Sequence, residues 1–467
     1  MRKIIFSNDI SIFVPDSLKK MTTYILLEQL DWFEDEIKFL KKFILPGNKV
    51  IDIGANYGVY TLTLAKLIGN KGYIYSFEPC TETRNFLESS IVANNFMNIT
   101  IDSRGLSNKK KEAILSLSKN SETNSVTKNS NIEGEYEKII LSDLDNCMNS
   151  YKWKNIDFIK IDAEGQESNI IKGGKEFFYK NSPLVQYEVK DKANFNLDLI
   201  SEFKSIGYDT YRLIPGLDIL VPWEDIEFDE YILNLFCCKT DTAERLANKN
   251  ILLRKDSLAQ KDFNDFDKLY DDLISENNFY DYIHKDIPYF NFLNSYWKNS
   301  KNLQSINNQK AVFLYYMSQN NQYPAQERYQ ALKYSFQILS QECKSNSGNA
   351  RLSSLARISG ELGLRSIQVS ALIQLRDSIF EDKILELGEI FLLPERYQEQ
   401  RSLGDWNSEI SNWMISNILT TIEKKEYYSS FYSQDKTLGQ LQQIKDLGYD
   451  DKEIDRRIDL INLKFKD

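Results

Sequence analysis

Residues 4–14 carry two short apolar stretches on either side of Ser7-Asn8-Asp9, a pattern that predicts a β-hairpin. Over residues 22–44, Leu26, Leu30, Phe33, Ile37, Leu40, Phe43 and Ile44 fall at helical spacing, and Pro46-Gly47 stops the helix. Strand and helix then alternate: strand 49–55 (KVIDIGA), helix 57–68, strand 73–77, helix 81–94, strand 99–102. Such alternation predicts a parallel sheet with helices on both faces. Residues 105–140 are less regular; 111–118 read as a strand, and 119–131, rich in Ser and Asn, as a loop. The run DFIKID (157–162) is a buried strand, followed by helix 167–180, strand 184–189, helix 197–206 and a closing pair of strands, 208–214 and 231–238.

After about Lys239 the alternation ends and helical periodicity takes over. Leu332, Tyr334, Phe336 and Leu339 form one stripe; Ile358, Leu362, Ile367 and Leu372 form another, within a helix expected over 355–375. Small residues at Ala356, Gly360, Gly363 and Ala371 allow close helix approach. No fixed repeat length emerges, so a bundle and a short solenoid both fit. The expected division is an α/β domain over 1–240 and a helical domain over 241–467.

Length agrees with that division: 467 residues exceed one typical domain. Hydrophobic residues make up 42% and aromatics 13%, enough for real cores. The net charge of −10 gives no general attraction to phosphate backbones, so nucleic acid is not an expected partner. Cys80, Cys147, Cys237, Cys238 and Cys343 form no CxxC pair, which speaks against a disulfide framework or structural zinc and for a reducing compartment. Polar Asn8 and Asp9 interrupt the apolar start, so no signal peptide is read, and no apolar run approaches the ~18 residues of a membrane span. A cytoplasmic location is the expectation. The single histidine, His284, lies beyond the motif-bearing region and reads as an ordinary helix residue. Any general base in the α/β part must then be a carboxylate, a lysine or a tyrosine, or there is none.

The strongest chemical signal is the run Asp52-Ile53-Gly54-Ala55-Asn56-Tyr57-Gly58 between a strand and a helix. Gly54 and Gly58 let the backbone turn sharply and approach a ligand. Asp52, at the strand end, suits the ammonium of a bound amino-acid moiety. A dinucleotide loop aims N–H groups at a pyrophosphate, usually with three glycines; here Asn56 stands at the middle position, which disfavours an NAD enzyme. Glu78, in Ser76-Phe77-Glu78-Pro79 at the tip of the next strand, is placed to accept both hydroxyls of a ribose.

With these motifs the chain resembles the FkbM family of class I methyltransferases, through IDIGANYGVYTLTLA (51–65), FEP (77–79) and IKIDAEGQESNIIKGG (159–174). The resemblance spans roughly residues 30–240. It implies a Rossmann-like seven-stranded sheet, S-adenosylmethionine as methyl donor and, usually, O-methylation of sugars or secondary metabolites. It also implies that Asp52, Gly54, Ala55, Asn56, Gly58, Glu78 and Pro79 line the cofactor. It says nothing of the helical part, which is free to bind an acceptor polymer, a partner or a second copy.

Asp162 and Glu164, at the end of strand 157–162, and Glu188, ending the next, are the candidate catalytic acids. Three carboxylates at one edge allow a base whose pKa is raised by like charges or a divalent-cation site; without an enforcing ligand spacing, the metal-free reading is preferred. Lys160, two residues from Asp162, shares its strand face and suits an ion pair. Glu164 and Glu167 also suit capping of the following helix. The loop around Asn124-Ser125 reads as a lid on the acceptor side. The expected function is an O-methyltransferase acting on a hydroxyl of a sugar, surface glycan or glycosylated metabolite. The alternative is a scaffold protein with a vestigial nucleotide site.

Overall fold

The computed structural model describes residues 1–7, 9–118, 124–127, 134–191, 194–224, 229–258, 264–275, 288–299, 305–380, 388–396, 406–433, 435–449 and 451–466. The chain divides into two compact units: Met1–Leu213 with Leu220–Phe228 and Ile232–Arg254, and Ile214–Ile219 with Asp229–Tyr231 and Lys255–Asp467.

The first unit opens with the hairpin β1 (Arg2–Phe6) and β2 (Ile10–Val14), paired antiparallel as their two apolar runs require. Residues 22–44 form two helices, α1 (Met21–Gln29) and α2 (Asp35–Phe43), rather than one. Leu30 takes the left-handed conformation (φ 55°) as the C-cap of α1, and its carbonyl accepts from the Ser7 N–H at 3.0 Å. That pins the chain to the hairpin and forces a break. Asp35 in the first turn of α2 and Lys41 and Lys42 in its last turn complement the helix dipole.

The alternating region supplies β3 (Lys49–Ile53), α3 (Val59–Ile68), β4 (Tyr73–Phe77), α4 (Thr81–Ala93) and β5 (Ile99–Asp102). The stretch expected to be irregular folds into β6 (Gly105–Leu106), β7 (Lys111–Ser116), β8 (Ser125–Thr127) and β9 (Tyr136–Ser142), a second sheet of order β6-β9-β7-β8. Strand β9 escaped the sequence reading because its outward positions include Tyr136 and Ile140, which erase the polar alternation. Of the Asn124-Ser125 loop expected as a lid, Ser125 begins an edge strand, Ser125–Thr127, paired with Ile114–Ser116, and Asn124 Oδ1 accepts from the Ser118 N–H at 2.8 Å. The rest of that expected loop, 119–123 and 128–131, lies outside the described residues.

Then follow α5 (Leu144–Tyr151), capped by Asp143, β10 (Phe158–Ile161), α6 (Glu167–Lys172), α7 (Lys175–Asn181) and β11 (Leu184–Glu188). The helix expected over 167–180 is broken at Gly173 and Gly174, where a Cβ would strike the Ser107 carbonyl (2.5 Å) and Leu144 (2.8 Å). The unit closes with a short ladder, β12 (Lys190–Asp191) against β13 (Asn194–Phe195), then α8 (Asp198–Ser205), β14 (Asp209–Ile214), β15 (Ile219–Pro222), β16 (Asn234–Cys238) and α9 (Thr240–Ala247).

The main sheet has the order β15-β14-β16-β11-β10-β3-β4-β5. Five strands, β5, β4, β3, β10 and β11, run parallel; β16 is antiparallel to both β11 and β14. The seven expected strands are joined by an eighth, β15, which folds back beside β14 at the sheet edge. Residues of opposite parity face opposite cores. Val50, Phe158, Leu184 and Phe236 pack with α2 and α3, while Ile51, Ile159, Val185 and Leu235 pack with α5, α7 and α8. The chain leaves β3 toward β4 and β5, then crosses to β10 on the other side. The switch point between β3 and β10 is where open α/β sheets present a ligand crevice.

The second unit is mainly helical among its described residues. Ile306–Gln319, Ala325–Ser345, Asn349–Glu361, Arg365–Phe380 and Trp406–Glu426 each pack on the next in sequence. The helix expected over 355–375 is split between Glu361 and Arg365, where Gly363 adopts φ 75°. Trp297 and Trp413 are fully buried, as core residues; His284 and the side chain of Trp406 lie outside the described residues. No described helix is long and apolar enough to cross a membrane.

Candidate active site

Gly54 turns the chain out of β3 with φ 78°, and a Cβ there would lie 1.7 Å from the Asp162 carbonyl oxygen. The loop is pressed against the end of β10, and only glycine fits. Gly54 and Ala55 donate their N–H groups to the Phe77 carbonyl at 3.0 and 3.1 Å. Asn56 takes φ 49° and Gly58 φ 98°, where a Cβ would meet Leu87 at 2.3 Å. The loop is therefore fixed by backbone contacts to β4 and β10 before any ligand arrives.

Glu78 leaves β4 and reaches under this loop. One carboxylate oxygen accepts from the Asn56 N–H at 2.7 Å, the other from the Cys80 N–H at 2.8 Å. Burial raises its pKa, and these bonds oppose the rise. Arg84 holds the strand end by donating to the carbonyls of Glu78 and Pro79, both at 3.0 Å.

Asp52 sits one pleat below the turn and has no exposed surface. Its Oδ2 accepts from the Thr61 hydroxyl at 2.6 Å, and Thr61 lies 2.8 Å from the Ser76 hydroxyl. Strand register extends this into a polar row, Ser76, Asp52, Lys160 and Gln186, on the face covered by α2 and α3. Asp52 is raised in pKa by burial, against the pull of Lys160.

Above that row lie the three expected catalytic acids. Asp162, Glu164 and Glu188 each present a carboxylate oxygen within 4.8 Å of the other two. Lys160 Nζ pairs with Asp162 at 2.6 Å, as its place on the strand suggested. Burial, then the charges of Asp162 and Glu164, push the Glu188 carboxyl up to about 11. Glu164 is held at φ 45° by a turn closed from below: Glu167 accepts from the N–H groups of Ala163 and Gly165 at 2.9 and 3.3 Å. Glu167 caps that turn, and Glu164 stands in the cluster. Three carboxylates so close together could also surround a divalent cation.

Several polar residues beside this cluster escaped the sequence reading. Glu34, from the break between α1 and α2, accepts from the Tyr60 hydroxyl, from Trp32 Nε1 at 2.8 Å and from Asn234 Nδ2 at 3.3 Å. Gln186 Nε2 donates to the Tyr60 oxygen at 3.0 Å, and the Tyr60 ring lies 4.6 Å below Lys160 Nζ. Glu34 was hidden inside what read as one continuous helix. Tyr60 was hidden in an apolar helix face. The one available signal was Gln186, a polar residue in the middle of the buried strand LVQYE.

The parallel sheet with its switch point, the glycine turn after β3 and the acid after β4 define a class: the class I S-adenosylmethionine-dependent methyltransferases. Within that class, residues 52–210 match the family model described as the Methyltransferase FkbM domain, and this part of the chain is such a domain. No curated protein sequence matches the chain. Among solved structures it is similar to the FkbM methyltransferase of Methylobacillus flagellatus (16% identity, 48% of this chain and 56% of that one, TM-score 0.29). It is also similar to a SAM-dependent methyltransferase of Aquifex aeolicus (15% identity, 48% and 99%, TM-score 0.29). A third is a SAM-dependent O-methyltransferase of Thermotoga maritima (14% identity, 51% and 77%, TM-score 0.27).

The residues present fit S-adenosylmethionine. The turn at Gly54 leaves no room for a side chain. Asn56 Oδ1 is buried with no hydrogen-bond partner among the described residues. Glu78 spends one acceptor position per oxygen on backbone N–H groups, which leaves others for hydroxyls.

Proposed function

We propose that the chain is an O-methyltransferase acting on a hydroxyl of a sugar, surface glycan or glycosylated metabolite. The observation that carries this reading is the cluster of Asp162, Glu164 and Glu188 at the carboxyl ends of β10 and β11, next to the glycine turn. S-adenosylmethionine, when bound, supplies an electrophilic methyl group on a sulfonium centre. Gly54, Ala55, Asn56, Gly58, Glu78 and Pro79 would hold its nucleoside, with Glu78 on the ribose; Asp52, expected to line the cofactor with them, is fully buried and accepts from the Thr61 hydroxyl.

The acceptor hydroxyl is a weak nucleophile while protonated, so the site must orient it and receive its proton. Orientation alone removes an entropic cost of roughly 7–11 kcal/mol. A carboxylate within hydrogen-bond reach adds roughly 10²–10⁴-fold. Asp162 is the base in this scheme: Lys160 stabilises its charge, and Glu188 and Glu164 grip the acceptor's neighbouring hydroxyls. A divalent cation held by the same three oxygens is the second reading, favoured by their mutual distance within 4.8 Å. A partner-binding or oligomerising role for the helical part belongs to this proposal as well.

The test is transfer of labelled methyl from S-adenosylmethionine to surface-polysaccharide fractions. Wild type should label a glycan fraction, Asp162→Asn should lose roughly two orders of magnitude in rate, and a chelator should leave the rate unchanged. Undiminished transfer by Asp162→Asn would remove the base, and chelator sensitivity would replace it with the metal.

A further inference from the structure

The acid first expected to meet the amino-acid end of the cofactor, Asp52, is sealed beneath the glycine turn with Thr61 and Ser76. A partly exposed acid stands on the same sheet face, outside the family-matched residues 52–210. Glu34 ends the linker that the Leu30 break creates, and its carboxylate is carried to Tyr60, two residues past Gly58, at the start of α3.

We infer that Glu34 is a further cofactor-binding residue, whose carboxylate receives the α-ammonium of S-adenosylmethionine; this rests on the methyltransferase function proposed above. Three fixed donors, from Tyr60, Trp32 and Asn234, orient the carboxylate. A carboxylate offers about four acceptor positions, so one remains for a ligand. The donors come from three separate parts of the fold: the linker itself, α3 and β16. The carboxylate is thus held in place before a ligand binds and need not be ordered by it.

The charge balance favours a cation here. Glu34 feels the charge of Asp162 and acts in turn on Glu36, and the cation that acts on Glu34, Lys160, is already bound to Asp162 at 2.6 Å. Gln186 has no exposed surface, its Nε2 is fixed to the Tyr60 hydroxyl at 3.0 Å, and its Oε1 accepts no hydrogen bond among the described residues. An ammonium group, with three N–H donors and a positive charge, matches the acceptor position left on Glu34. Burial raises the Glu34 pKa while Lys160 lowers it, and an arriving cation would favour the ionised form further.

The test compares three ligands by calorimetric titration of the full chain. S-adenosylmethionine carries both the ammonium and the sulfonium charge, S-adenosylhomocysteine keeps only the ammonium, and methylthioadenosine has neither. Glu34→Gln should weaken the first two by at least ~10-fold, the scale of a lost charged hydrogen bond, and leave methylthioadenosine affinity unchanged. That unchanged affinity also shows that the variant is folded. Glu34→Asp should recover part of the loss. The inference is overturned if Glu34→Gln binds S-adenosylmethionine as wild type does, if only S-adenosylmethionine weakens, or if all three ligands weaken alike. A wild-type chain that binds none of the three overturns the function as well; one that binds methylthioadenosine as tightly as S-adenosylmethionine overturns the ammonium contact alone.

Discussion

At the scale of single residues, the glycine turn is the least tolerant position. Gly54 combines φ 78° with a steric limit of 1.7 Å to the Asp162 carbonyl. An L-residue in the left-handed region alone costs roughly 1–2 kcal/mol, and the clash requires β3 and β10 to part. Gly54→Ala should lower thermal stability and abolish S-adenosylmethionine binding, checked by differential scanning calorimetry and titration. Glu36 gives a pH signature. Burial, then the neighbouring Glu34, push its carboxyl up to about 8. The folded chain therefore keeps a proton that the unfolded chain has released. This contribution to stability is complete below the ordinary carboxylate pKa and is lost as pH rises to about 8. Urea unfolding between pH 4.5 and 8 should show stability falling with pH, and Glu36→Gln should flatten that part of the slope.

At the scale of elements, residue patterns announced most of the fold. The β3-turn-α3 unit, β4, β10 and β11 were all legible, because buried parallel strands are short continuous apolar runs between turn signals. The breaks were harder to see. Apolar spacing continues through Leu30 and Phe33, so two helices read as one; the interruption comes from Leu30 being tied to Ser7, a contact that local periodicity does not encode. The second helix junction, at Gly173 and Gly174, and the third, at Gly363, did carry a glycine signal. Helix α5 also carried a signal, an aspartate placed to cap it. Asp143 accepts from the Asn146 N–H at 2.8 Å. Asp143→Ala should cost roughly 1 kcal/mol, measured as a lowered urea midpoint with an unchanged slope.

At the scale of the whole molecule, the candidate site was partly legible because its acids end strands. Asp52, Glu78, Asp162 and Glu188 mark the carboxyl edge of a parallel sheet, and the fold brings Asp162, Glu164 and Glu188 within 4.8 Å. What sequence alone could not supply was the wall contributed from elsewhere: Glu34, Tyr60, Gln186 and Asn234 meet only once α2 and α3 lie on that face. Glu78 and the glycine turn must form one cofactor site for this chain to use S-adenosylmethionine. Calorimetric titration of the full chain with S-adenosylmethionine tests this most directly. The account predicts saturable binding to one site, weakened at least ~10-fold by Glu78→Ala, which removes the charged acceptor for the ribose hydroxyls. An absence of binding heat at millimolar ligand, or equal affinity in Glu78→Ala, would contradict it.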